Sequence, residues 1–330
     1  MDWLPVALVL GAALVFAFTN GFQDASNAIA IPIATGSLSP RLAVTMAAAL
    51  GLTGALLGSA LADGFIEAIV APPDGSAGLS VIGAALLGAT VWNLLMWWFG
   101  MPSSSTHALI GGLTGASLTA GTSVGWDGVW VSVTLPMLLS PVLGLVLALG
   151  GLLLLARAVG SRPRSRVGRD LRGAQVAAAG AVALGNGLHD AAKTMAVMVL
   201  ALTVSGHSMS QGVPWGVVVA AAVAMALGTY AGGWRIVRTL GRRIISPAPD
   251  PAQGTVAQTA TAVIQYVAAI LHLPVSSTHT VTAALVGAGL TGRRSALRWD
   301  VIRRILVVWL CTFPGAAALS ALLCGVLLVL

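Results

Sequence analysis

The stretch Asn20-Gly21-Phe22-Gln23-Asp24-Ala25-Ser26-Asn27-Ala28 returns 166 residues later as Asn186-Gly187-Leu188-His189-Asp190-Ala191-Ala192-Lys193-Thr194, with Asn, Gly, Asp and Ala in register. A second pair follows in the same order. Pro102-Ser103-Ser104-Ser105-Thr106-His107 matches Pro274-Val275-Ser276-Ser277-Thr278-His279 at an offset of 172, with Gly115 and Gly287 at equivalent places. Two motifs repeated in order make the chain a duplicated fold. Whatever one half builds, the other half must build again.

The surroundings of the motifs are apolar. Only 27 of 330 side chains are charged, 8%, where a soluble domain carries roughly 25%. Hydrophobic residues make up 57% and glycine contributes 40 positions. Such a chain is excluded as a cytosolic enzyme, a disordered chain or a nucleic-acid binder, despite its net charge of +7. It reads as an all-α polytopic membrane protein. About ten apolar segments are expected, at 3–36, 42–61, 79–99, 105–121, 131–156, 174–204, 214–234, 255–272, 275–291 and 302–330. The start of the chain has no basic n-region, so a cleaved signal peptide is not expected. Cys311 and Cys324 share the last apolar stretch and read as packing residues, with no disulfide framework.

Five segments separate each motif from its copy. Five is odd, so the two halves are expected upside down relative to each other, as in carriers built from inverted repeats. The halves are 1–156 and 173–330, joined by a basic linker at 157–172. Sixteen of the 17 basic residues fall at Arg41, in 157–172, in 235–243 and in 293–304, whereas Asp2, Asp63, Glu67, Asp74 and Asp127 mark the other loops. With both termini outside, every arginine cluster lands inside, as the positive-inside rule asks. Segments 3–36 and 174–204 exceed one straight crossing, and interrupted helices are expected where their polar motifs fall. The arms 79–99 with 105–121 and 255–272 with 275–291 form either full crossings or re-entrant hairpins with the Ser/Thr tip at depth.

Asp24, Asp190 and Lys193 are the only charges deep within apolar segments. Each costs about 2.5–3.5 kcal/mol at a helix centre, which points to an ion site. Ser104, Ser105, Thr106, Ser276, Ser277 and Thr278 offer hydroxyls and, at helix starts, free backbone N–H donors suited to a tetrahedral oxyanion. The carboxylates repel an anion. Either they hold cations that travel with it, or they accept hydrogen bonds from a protonated oxyanion. Monohydrogen phosphate has a proton to donate and sulfate does not, which favours phosphate. His107 and His279 are expected to brace the tips by hydrogen bonding. His189, beside Asp190, is a candidate proton relay. The Gly54/Gly58 and Gly111/Gly115 spacings read as helix-packing contacts.

With Asn20-Gly21-x-x-Asp24-Ala25-x-Asn27-Ala28, Asp190-Ala191-x-Lys193-Thr194-Met195 and the two Ser-Ser-Thr-His tips, the chain resembles the inorganic phosphate transporter (PiT) family over nearly its whole length. The resemblance implies a non-enzymatic carrier that moves phosphate with a cation, commonly as a homodimer. It implies that Asp24, Asn27 and Asp190 serve cation sites and that the six tip residues serve phosphate. The same motifs put Asn20, Asn186 and Lys193 among the coupling residues. No cofactor and no definite metal site are implied. Departures are Gln23, His189, Ala192 and Ala196, which touch selectivity and not membership.

Lys193 stands where Asn27 stands in the first copy, a place where sodium-coupled relatives carry Asn in both halves. An ammonium beside Asp190 would fill one cation site with a tethered charge, so coupling to protons or to a metal–phosphate complex is expected over sodium. A sulfate carrier of the same fold is the main rival. A passive anion channel would have no need of Asp24 and Asp190. An intramembrane hydrolase using Ser104/His107 or Ser276/His279 lacks a nucleophile context. The expected home is a bacterial plasma membrane.

Overall fold

Twelve helices account for nearly all of the regular structure among the described residues, which in this computed structural model are 3–62, 69–160, 164–207, 212–291 and 296–329. Asp2, Asp63, Glu67, Arg162, Pro163, Arg293 and Arg294 lie outside them. The long elements are α1 (Trp3–Ala34), α2 (Pro40–Leu57, extended by a 3₁₀ turn to Leu61), α3 (Ser76–Phe99), α6 (Leu135–Val159), α7 (Arg164–Val204) and α12 (Trp299–Leu327). Between them run α4 (Ser105–Thr119), the short α5 (Trp126–Val129), α8 (Trp215–Ala231), α9 (Trp234–Arg238), α10 (Pro251–Ile270) and α11 (Ser277–Leu290). Local sequence sets the ends. Ser39 caps α2 ahead of Pro40, and Asp250 and Gln253 form a reciprocal capping box on α10. Gly100, at φ 65°, closes α3 in the left-handed conformation.

Six described helices are long and apolar enough to cross a membrane, or seven if the pair α8/α9, bent by 52°, forms one span. The chain is a multi-pass membrane protein, and by length and composition the described residues do not supply the expected ten as full spans. At 15 and 14 residues, α4 and α11 reach only about 22 and 21 Å, short of a hydrocarbon core near 30 Å. Each is reached through non-helical chain, 100–104 and 271–276. α10 is diluted by Gln253, Gln258 and Gln265.

A second expectation also changes. The motifs at 20–28 and 186–194 do not break their helices, since both lie inside the continuous α1 and α7. Their glycines serve close approach instead of unwinding. A Cβ on Gly21 would collide with the Met225 carbonyl, and one on Gly187 with the Gly51 carbonyl. The irregular backbone lies at the tips and at the α8/α9 bend. The stretch 157–172 contains the end of α6 and the start of α7.

Two apolar cores, one above and one below a polar layer, show how the halves are related. The first core takes Val6 to Phe16 of α1 and Ala191 to Val204 of α7; the second takes Ala25 to Ile31 of α1 and Val182 and Ala183 of α7. α1 therefore runs from the first core to the second, and α7 runs back. α12 also spans both, from Val301 to Trp309 in the second core to Ala316 and Cys324 in the first. Packing follows the repeat: α1 lies on α8 as α7 lies on α2, and α4 lies on α12 as α11 lies on α6. The GxxxG spacings pack helices as expected, Gly54 and Gly58 against the Leu184 and Leu188 carbonyls, Gly111 and Gly115 against Phe313 and Ala317. Of the cysteines, Cys324 is buried in the first core and Cys311 is exposed, both as free thiols.

Candidate functional site

Between the two cores, α1 and α7 place their motifs side by side and the N-termini of α4 and α11 close on them. Asp24 is buried and accepts from three groups. Asn27 Nδ2 donates to its Oδ1 at 2.8 Å, Thr278 Oγ1 to the same oxygen at 2.8 Å, and Ser105 Oγ to Oδ2 at 3.4 Å. Both tips therefore reach one carboxylate, one from each half of the chain. Asn27 Nδ2 also lies 3.2 Å from Ser277 Oγ and 3.1 Å from Thr278 Oγ1.

The second motif repeats this with one substitution. Lys193 Nζ lies 2.6 Å from Asp190 Oδ1 and 2.5 Å from Thr106 Oγ1, the two partners that correspond to those of Asn27. Among the described residues, Lys193–Asp190 is the one buried ion pair; the other, Arg298–Asp300, is exposed. Asp24 has no cationic group within ion-pair distance among them. Asp190 Oδ2 has no donor among the described residues, and the Asp190 carboxyl lies close enough to that of Asp24 for the two to interact directly.

Of the remaining expected residues, Asn186 Nδ2 donates to the Asp24 backbone oxygen at 3.1 Å and its Oδ1 accepts from Gln265 Nε2 at 2.7 Å. Asn20 is buried beside them with neither amide atom hydrogen-bonded among the described residues. His189 Nε2 faces the Gln265 carbonyl at 2.8 Å, a contact the N–H tautomer satisfies. Ser104 and Ser276 act as N-caps, accepting from His107 N and His279 N at 3.3 Å each. That leaves the first N–H groups of α4 and α11 without intrahelical acceptors, at the positive ends of two helix dipoles. A cavity of about 10 Å³, room for one water, lies beside Asp24, Asn186 and Thr229. Among the described residues no three His, Cys, Asp or Glu side chains gather as a metal site.

The histidines of the tips brace by stacking. The His107 and His279 rings lie 5.0 Å apart, and His279 stacks on Trp309 at 3.9 Å. Trp309 Nε1 donates to the Pro102 carbonyl at 3.2 Å and so holds the irregular segment. Sequence reasoning missed Asn93 and Gln265. The Asn93 carbonyl accepts from Gln23 Nε2 as the Gln265 carbonyl faces His189. They stand 172 residues apart, the offset of the tips, so extending the repeat alignment into the first arms would have found them.

A buried two-fold cage of hydroxyls and helix N-termini around carboxylates, in a multi-pass helical protein whose α1 and α7 run in opposite directions, suits a membrane transporter. The phosphate transporter family matches residues 20–169 and 160–320, and the chain belongs to that family. A "probable low-affinity inorganic phosphate transporter" of Mycobacterium bovis is 40% identical over 327 residues, covering 96% of this chain and 76% of the relative. Proteins of the same name from Rhizobium meliloti and Bacillus subtilis are 40% and 34% identical, covering 95% and 96% of this chain and 94% and 95% of theirs. A solved structure described as "The sodium-dependent phosphate transporter" superposes with a TM-score of 0.87 over 99% of both chains, at 21% identity, and shares the fold. The protein is a transporter and not an enzyme.

Proposed function

We propose that this protein imports inorganic phosphate across a bacterial plasma membrane, held between the tips Ser104–Thr106 and Ser276–Thr278 and coupled to a cation taken up at Asp24. The observation that carries the reading is the difference between the two buried carboxylates. Asp190 is neutralised by Lys193 at 2.6 Å, whereas Asp24 has only neutral donors among the described residues. A buried carboxylate without a cation is costly, so Asp24 calls for a proton or a mobile ion. Coupling also offsets the inside-negative potential, which opposes an entering anion by about 2.3 kcal/mol per charge per 100 mV.

The structural neighbour at 21% identity is described as sodium-dependent. In this chain the ammonium of Lys193 stands where the first motif has the Asn27 amide, filling the second site from within. Protons, or a neutral metal–phosphate complex, therefore fit better than sodium. Asn20 and Asn186 belong with the coupling residues, and His189 serves as a proton relay. The arginines described at Arg41, Arg157, 235–243 and 298–304 adjoin the second core, which supports placing that end inside and both termini outside. A homodimer is the expected assembly.

Competition decides the substrate. Uptake of labelled phosphate into proteoliposomes is expected to be suppressed by excess arsenate, a tetrahedral oxyanion with the same proton, and unchanged by excess sulfate. Suppression by sulfate, or sulfate uptake that ignores phosphate, would sink the phosphate reading.

A further inference from the structure

The arginine cluster at 235–243 marks topology in the sequence, yet two of its members build a groove that transport does not use. At the 52° bend between α8 and α9, Gly232 and Gly233 let the chain turn against the Phe22 carbonyl. The turn opens a groove of about 360 Å³ lined by Phe22, Trp97, Trp234, Arg235 and Arg238. That volume suits a small ligand or a headgroup.

Arg235 is held in place. Its guanidinium lies 4.4 Å from the Trp98 ring centroid and 5.3 Å from that of Trp97, and Nη1 donates to the Trp98 carbonyl at 2.7 Å. One edge of the fork is thereby fixed on the C-terminus of α3. Arg238 lies on the same rim, exposed. Neither arginine forms an ion pair among the described residues, so the rim carries two uncompensated positive charges.

The groove also continues into an apolar track. The Phe22 ring stands 5.2 Å from Trp97 and 6.3 Å from Phe18, and Phe18 and Leu227 are exposed at 39% and 58% on the flanking helices. Trp98 and Trp234, also exposed, sit level with the arginines, where tryptophan marks a membrane–water interface. A cationic, tryptophan-walled head leading into an apolar channel between helices matches one ligand shape.

We propose that this groove is a binding site for an anionic phospholipid, its headgroup phosphate on Arg235 and Arg238 and an acyl chain along Phe18, Phe22 and Leu227. A guanidinium fork recognises a phosphate by paired hydrogen bonds, and the stacked tryptophans pre-orient it. The apolar track distinguishes a lipid from free phosphate, which has no use for it.

Native mass spectrometry of the detergent-purified protein tests this, with phosphatidylglycerol and phosphatidylcholine as probes. Phosphatidylglycerol is expected to be retained about tenfold better, and Arg238→Gln to lower its retention about fivefold. The charge-matched control Arg157→Gln, on the end of α6, is expected to change little. Arg235→Lys keeps the charge but loses the fork, and is expected to weaken retention without unfolding α3. Equal retention of the two lipids, or retention that survives Arg238→Gln, overturns the site. Displacement by inorganic phosphate at fixed ionic strength makes the ligand a free anion and overturns the lipid assignment. Adducts on monomers but not on dimers give the groove to a second copy, which overturns it too.

Discussion

The two halves of the polar layer solve the same problem with different chemistry. In the first motif an amide, Asn27, bridges Asp24 and Thr278; in the second an ammonium, Lys193, bridges Asp190 and Thr106. The bridging positions correspond, but the charge differs, and so does the carboxylate's own shell: Asp24 accepts from Asn27, Thr278 and Ser105, and Asp190 from Lys193. One carboxylate is therefore internally balanced and the other is not. On the proposed reading, Lys193 takes up one of the two ion sites and leaves the fold intact, so an inverted repeat need not carry two equal sites.

The contrast is sharpest when each carboxylate is neutralised. Asp190→Asn strands the Lys193 ammonium in the interior and is expected to cost about 3–5 kcal/mol, the penalty for breaking a buried pair. Asp24→Asn removes an uncompensated charge and is expected to leave stability unchanged or raised while phosphate uptake is lost. Thermal unfolding in detergent, run beside transport on both variants, reads the difference; equal destabilisation would erase the asymmetry.

A smaller effect is expected where the motifs touch neighbouring backbone. Gly187→Val drives a side chain into the Gly51 carbonyl, and overpacking of this kind costs about 1–3 kcal/mol. Gly21→Val, facing Met225, should behave alike, because this part of the repeat is symmetric. A denaturation midpoint for each variant checks it. Unequal shifts would mean that the helix contacts, and not only the charges, have diverged.

The hydroxyls should separate again. Thr278→Val removes a donor to Asp24 and an acceptor for Asn27, whereas Thr106→Val removes only an acceptor for Lys193. Losses of about 1–3 kcal/mol are expected, with the apparent phosphate KM rising in both and rising more for Thr278→Val. The smallest effect, about 1 kcal/mol and equal in the two halves, is expected for Ser104→Ala and Ser276→Ala, which remove matched helix caps. Chemical-denaturation curves would resolve an inequality.

Much of this is legible in the chain alone. The repeated Asn-Gly-x-x-Asp-Ala and Ser-Ser-Thr-His motifs carry the duplication, and an odd segment count carries the inversion. Asp24, Asp190 and Lys193 stand out because an apolar helix tolerates charge only for a reason. The number of spans is not legible, because hydropathy does not see that α4 and α11 stop short of a full crossing. Nor does a Gly in a polar motif reveal whether it unwinds a helix or seats a neighbour; at Gly21 and Gly187 it seats one. The Asp24–Thr278 bond joins residues 254 apart and has no local signal. Asn93 and Gln265 escape notice because their backbone carbonyls make the contacts with Gln23 and His189, and backbone contacts leave no trace in the sequence.

The most direct test of the central claim is phosphate uptake into proteoliposomes under an imposed proton gradient and, separately, an imposed sodium gradient, with wild type and Asp24→Asn. The account predicts uptake driven by protons, indifferent to sodium and abolished by Asp24→Asn. Uptake that follows the sodium gradient and ignores pH would contradict it, and would show that Lys193 leaves sodium a site.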